Sequence, residues 1–207
     1  LLDGAGGVYR NSSPCDEGMI QHHIVADVSC GGRLYYMATK DIAYMGKCVG
    51  EILVETARFW ASRLEWKEEA GRYEICNVIG PDEYKEHVSN NAFTNYLAVY
   101  NLRIAGEVIG QLEQKWQKAY TRLARKFDLE KLGKEFAEKA DQVYLPMPGA
   151  DGLVPQNDEY LRLEKIDLTK YKTQQGVSSI YEDYSPMQMN RFMVSKQADL
   201  VMLLRVM

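Results

Sequence analysis

Two consecutive carboxylates, Asp82 and Glu83, follow a Gly80-Pro81 pair in the run Val78-Ile79-Gly80-Pro81-Asp82-Glu83-Tyr84. Proline fixes φ and offers no amide donor, so this pair makes a stiff bend between an extended segment and a helix. Adjacent acidic side chains at such a bend point in different directions. One can face a pocket while the other ties the loop down. A carboxyl close to a like charge, or shielded from water, keeps its proton to higher pH and can then serve as a general acid. From the residues alone, a solvated acidic loop is the commoner reading of such a pair. The cysteines carry less chemistry. Cys15, Cys30, Cys48 and Cys76 form no C-x-x-C pair and have no histidine cluster beside them. A zinc site and a disulfide framework are both poorly supported, and reduced thiols in a cytoplasmic protein are expected. No metal ligands are expected.

Helical periodicity must position these groups. Apolar residues Met45, Cys48, Val49, Ile52, Leu53, Ala57, Trp60 and Leu64 recur at three- and four-residue steps, predicting one amphipathic helix over 41–64. Glu55 and Arg58 are spaced to pair on its outer side. A helix is expected over 24–38, with Gly31-Gly32 as a weak point or a place of close helix contact. Residues 72–79 read as a short extended segment. Helical spacing resumes at Asn91 and continues past Tyr120, with a break expected over 110–114. A helix is predicted over 129–143, capped by Asp128. The three prolines and two glycines of 146–155 form a loop system. Residues 157–184 show no period and read as irregular surface chain, and 193–207 as a final helix. Trp60 and Trp116 fall on apolar stripes and read as core.

Composition bounds the rest. The 207 residues are 46% hydrophobic and 26% charged, enough to bury a sizeable core in an ordinary globular chain. A net charge of −4 excludes a broadly basic nucleic-acid-coating protein. No apolar run approaches the ~20 residues that span a bilayer. The chain begins at Leu1 with no signal-like segment and reads as a piece of a longer protein. Successive helices joined by loops suggest an all-α layered or toroidal architecture.

The acid stretch, with Ser89-Asn90-Asn91-Ala92-Phe93-Thr94-Asn95 after it, closely resembles the catalytic-acid motif of glycoside hydrolase family 65, the inverting α-glucoside phosphorylases. Three further segments are similar to that family in the same order. They are His23-Ile24-Val25-Ala26-Asp27-Val28, residues 55–63 from Glu55 to Arg63, and Ser195-Lys196-Gln197-Ala198-Asp199. Four motifs in order are far more specific than one. The resemblance implies part of an (α/α)6 toroid, a six-hairpin glycosidase-like barrel truncated at both ends. Residues 1–207 would be a single partial catalytic-barrel domain. The family's N-terminal β-sandwich, the start of its barrel, its Trp-Asp donor-site motif, its phosphate-holding loops and its C-terminal part would lie outside them.

Carried over residue by residue, the resemblance makes Glu83 the proton donor and Lys196 and Gln197 the groups that hold the glucosyl unit. Asp82 is expected to be structural. Asn91 and Asn95 stand one helical turn apart, placed either to orient the acid loop or a sugar hydroxyl, or to make capping and core hydrogen bonds. His23 is either an acceptor-side sugar contact or, with His22, a helix-start packing feature. His87 is a candidate for supporting the acid loop. The implied reaction is phosphorolysis of an α-linked glucose disaccharide with inversion, giving β-glucose 1-phosphate and a released sugar. No cofactor is implied, and inorganic phosphate is the co-substrate. The family's tendency to dimerise implies a homodimeric parent enzyme, expected in the cytoplasm and with no nucleic-acid or membrane partner. The fragment alone is expected to be inactive.

Three departures stand out from the family pattern. Lys85 replaces the usual His and is expected to alter the electrostatics of the acid, Phe93 replaces Tyr, and Gly31-Gly32 interrupts a helix that is usually regular. Met19-Ile20-Gln21-His22-His23-Ile24 differs from the maltose-branch run and leans towards a kojibiose-, nigerose- or trehalose-like acceptor. The alternatives are an α-glucosidase or trehalase-type hydrolase on the same barrel, and a helical carbohydrate-binding domain without catalysis.

Overall fold

A computed structural model describes residues 17–172 and 177–206, and Cys15 lies outside them. After a short turn of helix α1 (Glu17–Ile20), helix α2 (His23–Thr39) runs straight through Gly31-Gly32 and ends where Lys40 turns left-handed at φ 55°. Gly32 earns its place by close approach, since a Cβ there would stand 3.1 Å from Val49 Cγ1. The single helix predicted over 41–64 is instead three pieces. They are α3 (Ile42–Tyr44), capped by Asp41, a π-helical turn (Met45–Val49), and α4 (Gly50–Arg63). Met45, Val49, Leu53, Ala57 and Trp60 of the predicted stripe are buried, whereas Cys48 and Ile52 are exposed, so the stripe is narrower than its spacing suggests. Glu55 and Arg58 pair at 2.7 Å as expected.

Leu64 turns extended and ends α4, and a small antiparallel hairpin follows. Strand β1 (Glu65–Lys67) pairs with β2 (Arg72–Glu74), Trp66 facing Tyr73 with their rings edge-on at 5.0 Å. Sequence periodicity missed β1, because three residues are too few to show alternation. Beyond β2 the chain leaves the sheet, and Ile75, Val78 and Ile79 are fully buried.

Helix α5 (Ala92–Lys115) is the central element and packs against α2, α4 and α7. Its first three turns are buried nearly all round, as befits a helix with neighbours on every side. The break expected over 110–114 falls later, at Trp116, whose extended φ of −147° separates α5 from α6 (Gln117–Ala124). Val108, Ile109 and Leu112 are buried and hold the helix through the expected break, whereas the Trp116 ring lies against Gly46, where a Cβ would stand 2.9 Å from it. Helix α7 (Leu129–Gln142) starts at Asp128, whose carboxylate accepts the Lys131 amide at 3.2 Å. Trp60 and Phe136 are fully buried in the shared core.

The remainder is loop with short helical turns: a 3-10 turn (Tyr160–Arg162), α8 (Thr169–Lys172), a second 3-10 turn (Val177–Glu182), α9 (Pro186–Met189) and α10 (Asp199–Val206). The helix predicted over 193–207 therefore begins six residues late. The backbone before it is engaged elsewhere, as the Met193 amide donates to Glu164 O at 2.7 Å and the Lys196 amide to the Asp82 carboxylate at 2.9 Å. Among the described residues Cys30, Cys48 and Cys76 are free thiols, and no helix is long and apolar enough to cross a membrane.

Candidate active site

The acid loop is closed at its base. Val78 and Val88 exchange both backbone hydrogen bonds at 3.0 Å, and Asn77 and His87, each left-handed at φ 56°, flank that bridge. Their side chains meet at 2.6 Å between Asn77 Oδ1 and His87 Nδ1. His87 thus supports the foot of the loop, away from the carboxylates at its tip. The rising limb is anchored through Ile79, whose amide donates to Ile20 O at 3.1 Å and whose carbonyl takes a hydrogen bond from His23 Nδ1 at 3.1 Å. Burial lowers the pKa of His23, so its ring is neutral with the proton on Nδ1 and a lone pair on Nε2. Glu83 lies close enough to oppose that shift, more weakly. The ring of His23 also packs edge-on against Phe93 at 5.9 Å.

At the tip the two carboxylates separate. Asp82 is fully buried and accepts three hydrogen bonds. Oδ1 takes the amides of Tyr84 at 3.2 Å and Lys196 at 2.9 Å, and Oδ2 takes Gln156 Nε2 at 2.9 Å. Asp82 is the structural member of the pair, and it ties the loop to a segment more than a hundred residues away. Glu83 points the other way and is half-buried. Its carboxylate pairs with Lys196 Nζ, and its amide donates to Gln197 Oε1 at 3.4 Å. The three residues singled out for proton donation and sugar holding therefore meet at one point, Glu83 and Lys196 being 113 positions apart in sequence.

Lys85 does not reach the acid. Its side chain is buried, and Nζ donates to Met189 O at 2.8 Å and Tyr84 O at 3.3 Å. Burial pushes its pKa down to about 8, with the charge of Asp82 opposing. Its electrostatic partner is thus the buried Asp82, and it serves to fasten the falling limb of the loop to α9. Glu86 N joins the same seam, donating to Asn190 Oδ1 at 2.8 Å.

Asn91 and Asn95 part company. Asn91 caps α5, its Oδ1 accepting the Thr94 amide at 2.9 Å, while its Nδ2 donates to Asp199 Oδ2 at 2.8 Å. It sits under the acid loop, and Gly80 is required there because a Cβ would collide with Asn91 and Asp199. Asn95 is a core tie, its Nδ2 donating to Tyr144 O at 2.8 Å and Asn90 Oδ1 at 3.1 Å. Asp199 is buried, which raises its pKa to about 6, with the charge of Asp82 adding to the effect and bonds from Asn91 and Gln156 opposing it. Sequence reading assigned no role to Gln156 or Asp199. Gln156 stands next to Pro155 at the end of an aperiodic loop, and Asp199 carried no signal beyond its place in the Lys-Gln motif.

The arrangement offers a carboxyl that can give a proton, an ammonium and an amide that can grip hydroxyls, and a buried lattice of hydrogen bonds that holds them in register. Among the described residues no cluster of three or more His, Cys, Asp or Glu could hold a metal ion.

Comparisons with known proteins give the family and the fold. The family model "Glycosyl hydrolase family 65 central catalytic domain" matches residues 7–207. A kojibiose phosphorylase of Halothermothrix orenii is 40% identical over 188 residues, covering 90% of this chain and 24% of that protein. The Escherichia coli kojibiose phosphorylase is 36% identical over 88% of this chain and 22% of its own length. An α,α-trehalose phosphorylase of Geobacillus stearothermophilus is 33% identical over 92% of the chain and 25% of its own. A solved structure titled as a candidate kojibiose phosphorylase from human microbiome superposes with a TM-score of 0.80 at 20% identity, over 95% of this chain and 27% of that one. At that identity it shows the fold, a partial helical toroid. The chain spans about a quarter of the length of these relatives and belongs to glycosyl hydrolase family 65, within its central catalytic domain.

Proposed function

We propose that this chain is the acid-bearing part of an inverting disaccharide phosphorylase, with kojibiose as the favoured substrate. One observation carries the reading. The Glu83 carboxylate meets Lys196 Nζ and the Glu83 amide meets Gln197 Oε1 across more than a hundred residues, in a chain whose relatives include proteins named as phosphorylases. A glucosyl unit entering between them trades the ion pair for hydrogen bonds from Lys196 and Gln197 to sugar hydroxyls. Glu83 then protonates the glycosidic oxygen as the C1–O bond breaks. Phosphate, itself an anionic nucleophile, attacks C1 from the opposite face, so no second catalytic carboxylate is needed. The products are β-glucose 1-phosphate and the released sugar, which keeps the proton. His23, whose pKa feels the charge of Glu83, is the residue assigned to an acceptor hydroxyl in this reading, through its Nε2. The reading includes no resident cofactor, a cytoplasmic, dimeric parent protein, and phosphate held by parts of the barrel beyond this chain. Kojibiose is favoured because relatives bearing that name reach 36–40% identity.

The test is made on the full-length protein. It is incubated with phosphate and a panel of α-linked glucose disaccharides, and β-glucose 1-phosphate is followed by phosphorus NMR. Phosphate-dependent product from kojibiose, lost about 100-fold or more in Glu83→Gln, is expected. Glucose released equally well without phosphate would move the protein to the hydrolases. An unaffected Glu83→Gln variant would remove Glu83 from the mechanism.

A further inference from the structure

We propose that Gln156 is a positioning residue for the general acid, acting through Asp82; this rests on the functional reading above. Gln156 is buried at 4% exposure on the loop that crosses beneath the acid turn. Its Nε2 donates to Asp82 Oδ2 at 2.9 Å, and its backbone carbonyl accepts the amide of Ala92, the first residue of α5, at 2.8 Å. Its side chain also lies near enough to Asp199, the carboxylate held by the α5 cap Asn91, to lower the pKa of that group against the effect of burial. One residue thus joins the acid loop, the start of α5 and the Lys-Gln segment.

The geometry shows what the Gln156 bond fixes. A carboxylate turns about its Cβ–Cγ bond. The two backbone donors on Asp82, Tyr84 and Lys196, both bind Oδ1 and leave Oδ2 free to swing. The third donor, on Oδ2, sets the plane. With the plane set, the Lys196 amide is aligned, and with it the Lys196 side chain that faces Glu83. Loss of the Gln156 amide leaves Asp82 in place but lets its carboxylate rotate, so Glu83 and Lys196 lose their common reference. Gln156 itself touches no substrate group in this account.

A leaving group that needs no proton separates this role from simple structural support. Full-length protein is assayed with its disaccharide and with α-glucosyl fluoride, from which fluoride departs with the C1–F electron pair and without help from an acid. In Q156A, kcat on the disaccharide is expected to fall about 10- to 100-fold, the loss set by one buried charge-assisted hydrogen bond. Fluoride release is expected to fall clearly less, because it draws on the grip of Lys196 on the sugar but not on the proton of Glu83, and KM for phosphate should be unchanged. Q156E keeps the shape of the side chain and carries the test if Q156A fails to fold. Its carboxyl donates to Asp82 only when protonated, so its deficit on the disaccharide should shrink as pH falls. Equal losses on both donors would show a merely structural residue and overturn the proposal, as would no loss on either. Wild-type protein inert with every disaccharide would overturn the functional reading as well, which a flat response in an active enzyme would not.

Discussion

Replacing Asp82 separates its hydrogen-bond role from its charge. Asp82→Ala leaves three buried donors without acceptors: the amides of Tyr84 and Lys196, and Gln156 Nε2. Each stranded donor costs about 1–3 kcal/mol, so the sum is about 3–9 kcal/mol, comparable to the whole stability of many domains. Asp82→Asn is different. Its remaining oxygen can face the two backbone amides, which cannot turn, while its new NH2 faces Gln156, whose side-chain amide can flip to present oxygen. All three contacts survive in neutral form, and losing the charge assistance costs about 1 kcal/mol per bond at most. Removal of a buried charge beside Asp199 offsets part of that. The readout is amide hydrogen exchange in the full-length protein, on peptides spanning 80–88 and 192–199. Asp82→Ala should lower protection of both by about 100-fold or more, and Asp82→Asn by clearly less. Peptides from α4 and α5 should be unchanged in Asp82→Asn. Equal protection in the two variants, or an Asp82→Ala protein that protects both segments fully, would refute the assignment of Asp82 as the acceptor that joins them.

Three further outcomes follow from neighbouring groups. Gly80→Ala should lower thermal stability by about 3 kcal/mol, because the new Cβ drives apart Asn91 and Asp199, while Gly106→Ala, with nothing near its Cβ and in mid-helix, should gain about 0.5–1 kcal/mol. Burial raises the Asp199 pKa from 3.8 to about 6, so the folded state holds this proton more tightly than the unfolded one and loses stability as pH rises between those values. The loss is about 3 kcal/mol and is complete above pH 6. Asp199→Asn, which can still accept from Asn91, should flatten that slope in melting curves taken from pH 4 to 7, and an unchanged slope would place the proton elsewhere. Val201 and Leu204 on α10 are 67% and 82% exposed, so the 207-residue chain by itself should self-associate in sedimentation velocity, and Val201→Ser with Leu204→Ser should reduce that association.

The helices were legible wherever one face is apolar and the other wet. Helices α2 and α7 sit within two residues of their predicted bounds, and the Asp128 cap was readable from one side chain. Three features escaped, each for a physical reason. The π-helical turn at Met45–Val49 keeps Met45 and Val49 in the core but turns Cys48 out to solvent, and apolar spacing alone does not show which members of a stripe will be buried. The end of α5 is set by where the Trp116 ring must lie, which is a tertiary demand with no local signal. The stretch before α10 has helical spacing, but its amides are claimed by Glu164 and Asp82, and hydrogen bonds to distant partners outweigh a local propensity of a few tenths of a kcal/mol per residue, about 0.7 at most for ordinary residues.

The site was legible in part and for a different reason. A Gly-Pro bend with two carboxylates states that one acid is turned inward and one outward, but not which. Burial decides it: Asp82 has three donors waiting and no water, and Glu83 has a cation at the edge of solvent. That Lys196 would be the cation could come only from resemblance, because no periodicity relates positions 113 apart. Gln156 could not be read at all. A glutamine in a proline-rich loop is ordinary surface chain until the loop is seen to pass under a buried carboxylate. The acid of this chain is therefore built in two layers. Glu83, Lys196 and Gln197 present the chemistry, and Asp82, Asn91, Gln156 and Asp199 fix where it is presented. Four buried polar side chains are a costly way to hold a loop that a few leucines could pack. Hydrogen bonds, unlike leucines, specify direction as well as proximity, and a proton donor is useful only when both are set.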